Sequence, residues 1–518
     1  MSLNLAHFLN VTAENHPEIT GVILDEFRLS YADLAIMVRR VANILKSKGI
    51  EKGDKVAMMI PNTPHFPIAY YATLSCGAVV VPVNCLYKVK EIQFYLEDSE
   101  AAAFFYWKDF RDEAVKAFQA SETCHTLIEI SRPEDMETPE VGESFMPLLM
   151  SASPEFDIVQ TMPDDTAVIL YTSGTTGSPK GAELTHFNMF FNALTVRDFL
   201  GRIEPGEVGL VMLPLFHSFG QTCMQNASIL AGATMTMLPR FESNKALEII
   251  QRDKVSFMAG VPTMFQFMLN VAEEQDFDLS SMRMAFSGGS ALPVEILHRF
   301  EEKFGIRILE GYGLSETSPV ATFNVLDRPS RPGSIGVPVW GVEAKLMKED
   351  GSFAGEDEVG EIVIRGHNVM KGYYKRPGAT EETVINGWLH TGDLAKQDAD
   401  GYLYIVDRKK DLIIRGGMNI YPREIEEVLY SHPDILEAAV IGVPDELRGE
   451  EVKACVSLRK DADATVEELL EFCKERLARY KVPKEIEIFP DLPKGPTGKI
   501  LKRELRQAVI NRTQQASG

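Results

Sequence analysis

The sequence predicts an α/β protein with two unequal parts. The first is a large N-terminal domain of parallel sheets with helices plus a β-rich subdomain, and the second is a small mobile α+β C-terminal domain. Three observations predict this. Short apolar runs alternate with helical stretches from residue 30 to residue 310. Short strands with frequent glycines, such as GVEAKLM, GEIVIRG and GYLYIVD, fill residues 334–406. A separate α+β pattern follows the charged turn RKKD at 408–411, so the division is placed at residues 1–409 and 410–518.

Residues 30–46 are expected to form a helix, because Ser30 and Asp33 resemble a capping pair and Leu34, Val38, Val41 and Leu45 keep helical spacing. Residues 56–60 form an apolar run fit for a buried strand, followed by a helical stretch over 67–75 and a strand over 78–83. Residues 108–160 read as a looser, less regular connection. Farther on, helices over 186–199, 246–252 and 263–272 alternate with strands over 208–213, 255–260, 282–287 and 306–310. Strands over 167–170, 282–287 and 306–310 each end in a polar, glycine-containing turn. Ligands of open α/β sheets bind at such strand ends, so the three turns are expected to converge on one cleft. In the C-terminal part, Pro422 opens a helix carrying Ile425, Val428 and Leu429, and residues 437–443 and 452–458 read as strands. Thr465 and Glu468 form a capping-box pair before Leu469, Leu470 and Cys473.

The 518 residues carry 53 basic and 75 acidic side chains, a net charge of −22. A chain this acidic is not built for broad contact with nucleic acid or anionic lipid, although a local basic site for a nucleotide remains open. The six cysteines, Cys76, Cys85, Cys124, Cys223, Cys455 and Cys473, form no CxxC pair and no zinc-finger spacing. They read as reduced thiols of a cytoplasmic protein. The start shows no basic n-region or long apolar h-region, and no apolar run reaches membrane-spanning length.

Residues 171–181 read YTSGTTGSPKG. Gly174 and Gly177 allow the backbone to curl until several N–H groups point at one place. Ser173, Thr175, Thr176 and Ser178 add donors, and Lys180 adds a mobile positive charge. Such a loop suits a polyphosphate, while composition alone would also fit a flexible surface loop. It is not a Walker A sequence, because the lysine follows Gly177 by three residues and a glycine comes next. Four more polar segments accompany it: GYGLSETSP at 311–319, HTGDL at 390–394, DRKKDLIIRGGMNIYP at 407–422 and GPTGKILKREL at 495–505.

In this order the five segments resemble the motif set of the adenylate-forming superfamily, which includes acyl-CoA synthetases, coumarate–CoA ligases, luciferases and nonribosomal adenylation domains. The resemblance covers most of the chain. It implies two steps: a carboxylate attacks the α-phosphate of ATP to give acyl-AMP and pyrophosphate, and a thiol, usually of CoA, then takes the acyl group. Thr172, Ser173, Gly174, Thr175, Thr176, Gly177 and Lys180 are similar to the family's β,γ-phosphate cradle. Glu316 matches its magnesium-organising carboxylate, since Mg2+ on phosphate oxygens needs an anionic oxygen ligand or one ordering its waters. In the same segment Gly311, Tyr312, Gly313, Ser315 and Thr317 are implied nucleotide contacts, with the Tyr312 ring suited to stacking on adenine. Gly288, Gly289 and Ser290 resemble the wall between adenine and acyl group. Asp393 resembles the ribose-diol acceptor and Arg408 a second ribose or phosphate contact. Lys499 matches the lysine that reaches α-phosphate and carboxylate oxygens in the first step, where a fixed ammonium stabilises developing charge. Lys410 matches the hinge about which the small lobe rotates, and Gly416 and Gly417 the wall beside the pantetheine arm of CoA.

His217, in LPLFHSFGQT, occupies the family's gate position beside the carboxylate; read alone it fits a buried histidine satisfied by backbone. Amino-acid-activating relatives place an Asp after a Phe in this region, whereas here Phe216 is followed by His217, Ser218 and Phe219. A buried ammonium would lack a counter-ion, which argues against an α-amino acid. Phe219, Met224, Met235, Met237, Met258, Met264, Phe265 and Met268 make the surrounding segments apolar and adaptable, although most of them also fit an ordinary core. The FHSFGQT string resembles medium- and long-chain fatty acyl-CoA ligases. The expectation is an ATP- and Mg2+-dependent fatty acid–CoA ligase. The alternatives are an aryl or small-acid (coumarate-type) CoA ligase, an acyl-AMP ligase loading a carrier protein, and a luciferase-like oxidoreductase. The expected partners are a small carboxylic acid, ATP and CoA, and the sequence allows a homodimer.

Overall fold

The computed structural model describes residues 2–135, 137–172, 179–445, 447–460, 462–495 and 498–516. Two large mixed sheets form the bulk of the chain. Among the described residues, one has nine strands and the other eight. In the nine-stranded sheet, Val208–Val211, Phe257–Gly260, Met284–Ser287 and Arg307–Gly313 lie side by side in parallel. Phe257–Gly260 and Met284–Ser287 are short and buried along their whole length, as parallel strands between helices must be. The eight-stranded sheet brings Lys55–Met59, Val79–Pro82 and Ala101–Trp107 beside Thr166–Thr172.

The helices form where spacing and caps expected them. Ser30 Oγ accepts from the Asp33 N–H at 3.1 Å and starts Tyr31–Ser47, whose Leu34, Val38, Val41 and Leu45 are buried. Two readings need correction. Residues 108–160 are not loose: they hold the helices Arg111–Ala120 and Phe145–Ser151 and the buried strand Thr126–Ile130. Arg111–Ala120 buries only Ala114 and Ala117, so its apolar stripe is too narrow to read from side-chain type. HTGDL, which read as an acid after a tight glycine turn, lies inside the strand Trp388–Gln397, where Gly392 holds φ at +73°.

Trp388–Gln397 pairs with Gly360–Gly366 and with Leu403–Arg408 in a five-stranded antiparallel sheet over the β-rich segment. Lys410 is exposed in the turn that leaves this sheet, and Ile413–Arg415 opens a second five-stranded sheet that continues to Glu485–Ile488. That last sheet has its own core, including Ile425, Leu429, Val440, Val456, Leu469 and Cys473. Five of the six cysteines are buried thiols and Cys85 is half-buried. Among the described residues, no helix is long and apolar enough to cross a membrane.

Thr465 Oγ1 accepts from the Glu468 N–H at 3.3 Å, and Glu468 Oε2 accepts from the Thr465 N–H at 2.8 Å. Thr465→Ala should therefore cost about 1 kcal/mol of local stability. Hydrogen exchange in Val466–Arg476 should rise several-fold; unchanged exchange there would contradict the cap.

Candidate active site

The cleft forms where the two large sheets and the two smaller ones meet. Thr172 ends one strand and pairs in register with Lys180 on the next, so the phosphate-type loop is held by an antiparallel pair. Its residues Ser173, Gly174, Thr175, Thr176 and Gly177 lie outside the described residues. Thr172 Oγ1 donates to Glu316 Oε1 at 3.2 Å, which joins the loop's base to the GYGLSETSP segment of the other large sheet. The Tyr373 hydroxyl donates to the same oxygen at 2.9 Å, and Lys180 Nζ lies 5.2 Å from the centre of the Tyr373 ring. Glu316 thus stands as one half-buried carboxylate beside a lysine. That donor set suits Mg2+, which keeps several waters and takes phosphate oxygens from a substrate.

The turn carrying Glu316 is tightly packed. A Cβ on Gly313 would sit 1.8 Å from the Pro319 carbonyl oxygen, so only glycine fits. Thr317 Oγ1 accepts from the Leu314 N–H at 2.9 Å and is buried, so it braces the turn; Ser315 is half-buried on its outer side. Gly311 is buried against the Phe323 ring. On the adjacent strand end, Gly288 lies under the Phe219 ring, and Gly289 is exposed next to half-buried Ser290.

Tyr312 and Asp393 meet directly: the Tyr312 hydroxyl donates to Asp393 Oδ2 at 2.6 Å. Burial, with the Asp393 charge beside it, raises the Tyr312 pKa well above its ordinary value, so the phenol stays protonated. Arg408 Nε lies 3.1 Å from Asp393 Oδ1, across the strand pair that places these residues in register.

Lys499 reaches this group from the small lobe. Beside it, the Gly495 N–H donates to the Lys499 carbonyl at 2.8 Å and Gly498 takes φ +81°. The lobe is docked here by Thr263 Oγ1, which donates to the Gly498 carbonyl at 3.2 Å, and by Arg423, which donates to the Ile405 carbonyl at 2.9 Å. Lys494 and Lys502 are paired with Glu437 at 2.9 Å and Glu426 at 2.7 Å, respectively. Among the described residues Lys499 makes no ion pair. Burial first, then the charge of Arg408, lowers its pKa to about 8, with Asp393 acting in the opposite direction.

His217 lies close enough to feel the Lys499 charge; burial first, then that charge, lowers its pKa to about 4. The ring is therefore neutral at physiological pH. Its Nδ1 accepts from the Phe219 N–H at 3.3 Å, which puts the remaining proton on Nε2 as a donor.

The structure thus brings together Thr172, Lys180, Glu316, Tyr312, Asp393, Arg408, Lys499 and His217. It does not bring Gly416 and Gly417 to them: both are exposed, with φ of +58° and +82°, and added Cβ atoms would meet nothing within 4 Å.

Three residues in or beside the site were not read from sequence. Tyr373 shares Glu316. Glu310, one residue before Gly311, is buried, accepts from the Leu292 N–H at 2.9 Å, and has a pKa raised by burial to about 7. Glu361 ties three groups together: it accepts from the Gly392 N–H at 2.9 Å, and it lies 3.1 Å from His390 Nδ1 and 3.0 Å from Lys409 Nζ. The only signal of Glu361 is an acidic residue at the start of an otherwise apolar strand, GEIVIRG.

Thr172, Lys180, Glu316, Tyr312, Asp393, Arg408 and Lys499 thus gather polar and charged groups from all four sheets and their connections. Residues 9–374 match the family model described as AMP-binding enzyme, and residues 424–499 match that of the AMP-binding enzyme C-terminal domain. A long-chain-fatty-acid–CoA ligase from Bacillus subtilis (strain 168) is 39% identical, over 97% of this chain and 94% of that one. A feruloyl-CoA synthase from Amycolatopsis sp. is 37% identical, over 96% of this chain and 97% of its own. The solved structure of ATP-bound MatB from Rhodopseudomonas palustris superimposes with a TM-score of 0.90 at 33% identity, covering 98% of this chain and 99% of that one. The chain belongs to the AMP-binding enzymes, and within them to the AMP-forming acyl-CoA ligases.

Glu361→Gln should raise the KM for ATP about tenfold, the loss expected when charged hydrogen bonds that hold the Asp393 strand are weakened. Thermal stability should stay within a few degrees. An unchanged KM would remove Glu361 from the site's support.

Proposed function

We propose that the acid activated by this ATP-dependent CoA ligase is a medium- or long-chain fatty acid, and that its two half-reactions use two orientations of the residue 410–518 lobe. Lys499 carries the reading. An ammonium that makes no ion pair among the described residues, near Arg408 and a neutral His217, is matched to two incoming anions: a carboxylate and the α-phosphate of ATP.

In the first half-reaction the carboxylate oxygen forms a bond to the α-phosphorus and pyrophosphate leaves. Lys499 stabilises the charge that grows on the carboxylate and phosphate oxygens. Asp393 and Arg408 hold the ribose, and the Asp393–Tyr312 bond fixes the ring that faces adenine. Lys180 and the residue 172–177 loop take the β- and γ-phosphates. Glu316 would hold Mg2+, which would supply further neutralisation of phosphate charge. His217 Nε2–H is placed to donate to the acid's oxygen. In the second half-reaction the lobe turns about Lys410, Lys499 leaves, and Gly416 and Gly417 line the path of the CoA thiol. Their exposure and open surroundings here are consistent with an orientation that serves the first half-reaction.

The FHSFGQT segment has no acidic residue to pair with the ammonium of an α-amino acid, and its resemblance to fatty acyl-CoA ligases, with the buried Met224, Met235, Met237, Met258 and Met268 in the neighbouring segments, supports a fatty acid. The long-chain-fatty-acid–CoA ligase relatives point the same way. The feruloyl-CoA synthase relative keeps an aryl acid as the second reading. No observation favours carrier loading or a luciferase-like oxidation.

Lys499→Ala should lower acid-dependent pyrophosphate release at least about 100-fold. Thioester formation from supplied acyl-AMP and CoA should fall less than tenfold. Equal losses would overturn the division of labour. Activity confined to aryl acids, in a panel that includes decanoic and hexadecanoic acids, would overturn the fatty-acid assignment.

A further inference from the structure

Glu316 is held by a side chain from outside its own turn. Its Oε1 accepts from the Tyr373 hydroxyl at 2.9 Å and from Thr172 Oγ1 at 3.2 Å. Among the described residues, no donor bonds its Oε2. One oxygen of the carboxylate is thus fixed by two hydroxyls, and the other keeps its lone pairs for a ligand.

Tyr373 is itself fixed. It lies on the two-residue strand Gly372–Tyr373, antiparallel to Lys180–Thr185, with Tyr373 opposite Ala182. On either side, the Lys371 N–H donates to the Glu183 carbonyl at 2.9 Å and the Tyr374 N–H to the Gly181 carbonyl at 2.7 Å. The Met370 N–H donates to the Glu316 carbonyl at 2.9 Å, so the same segment also grips the Glu316 backbone. The Tyr374 hydroxyl donates to Glu100 Oε2 at 3.0 Å, Lys375 Nζ lies 2.6 Å from Glu100 Oε1, and Arg376 pairs with Asp98. Asp98 also accepts from the hydroxyl of Tyr171, the residue before Thr172, at 2.8 Å. Residues 370–376 therefore bracket the strand pair that carries the phosphate-type loop. Backbone bonds and three other side chains already secure this segment, so the Tyr373 hydroxyl is not needed to hold the chain. What it holds is the Glu316 carboxylate. Its ring meets a second charged group, with Lys180 Nζ 5.2 Å from the ring centre.

We propose that Tyr373 is a positioning residue for the triphosphate end of the cleft. Its hydroxyl holds Glu316 Oε1 and leaves Oε2 to the Mg2+ that accompanies ATP, or to that ion's waters. Its ring keeps Lys180 beside the same carboxylate. This inference rests on the reading of Glu316 as the carboxylate that serves Mg2+, and it adds the residue through which that carboxylate is aimed. Loss of such an outer partner weakens metal affinity about 10- to 100-fold.

The test is equilibrium binding by calorimetry, as Kd for ATP with excess Mg2+ and Kd for AMP without metal. AMP reports the Tyr312, Asp393 and Arg408 end of the cleft alone. Tyr373→Phe keeps the ring beside Lys180 and loses only the hydroxyl. It should raise the Kd for ATP with Mg2+ about tenfold and the Kd for AMP less than about twofold, with Tm within a few degrees of the wild type. Glu316→Gln should raise the ATP Kd at least as much. Adding Tyr373→Phe to Glu316→Gln should change that Kd less than about twofold, because the hydroxyl acts through the carboxylate. If Tyr373→Phe does not fold, Tyr373→Met, also without a donor, reads the same two constants. An equal rise for ATP and AMP would identify a hydroxyl that only supports the fold and would overturn the proposal. So would an unchanged ATP Kd in Tyr373→Phe beside a raised one in Glu316→Gln, or full additivity in the double variant. An unchanged ATP Kd in Glu316→Gln would instead overturn the Mg2+ role of Glu316, and the role of Tyr373 with it.

Discussion

One buried ammonium, Lys499, makes no ion pair among the described residues and sets the chemistry of the cleft. Lys494 and Lys502, on either side of Lys499, are neutralised by Glu437 and Glu426, and these pairs fasten the segment to its own lobe. Lys499 is left facing Arg408, and its pKa falls to about 8. Burial and the Arg408 charge thus disfavour the protonated form of Lys499. In the proposed reaction a carboxylate and a polyphosphate beside Lys499 would reverse that balance, because both anions favour the protonated form.

That arrangement exists only while the small lobe is docked as it is here. Thr263 and Arg423 hold it through side-chain to backbone bonds, and Arg459 adds a bond to Asn270 Oδ1 at 3.3 Å. Lys409, beside the turn at Lys410, is tied to Glu361, and Glu361 also holds the Gly392 N–H in the strand that carries Asp393. The connection between lobes is therefore bonded to the strand that presents the ribose-type carboxylate. This gives lobe position a direct route to nucleotide geometry.

Much of this was legible in the sequence. Caps and helical spacing located Tyr31–Ser47 and Val466–Arg476, and apolar runs located the parallel strands, because these signals are local. The five polar segments, by their resemblance to the adenylate-forming motif set, marked Tyr312, Glu316, Asp393, Arg408 and Lys499. What escaped was long-range or quiet. Tyr373 reaches Glu316 across 57 residues, and Glu361 reaches Lys409 across 48 residues, so neither pairing leaves a trace in local pattern. The helix Arg111–Ala120 hid because alanines, rather than large apolar residues, face its core.

The most direct measurement is the titration of Lys499 itself, read by mass spectrometry as the rate of amine acylation by a small reagent across pH 6 to 11. Only the neutral amine reacts, so the midpoint reports the pKa. The account predicts a midpoint near pH 8 in the free enzyme. It should move upward when a non-hydrolysable ATP analogue binds, so that the charge is fully present below pH 8 and lost above it in the free enzyme alone. A free-enzyme midpoint at or above the usual lysine value of about 10.4, unmoved by the nucleotide, would contradict an ammonium held in reserve for two anions.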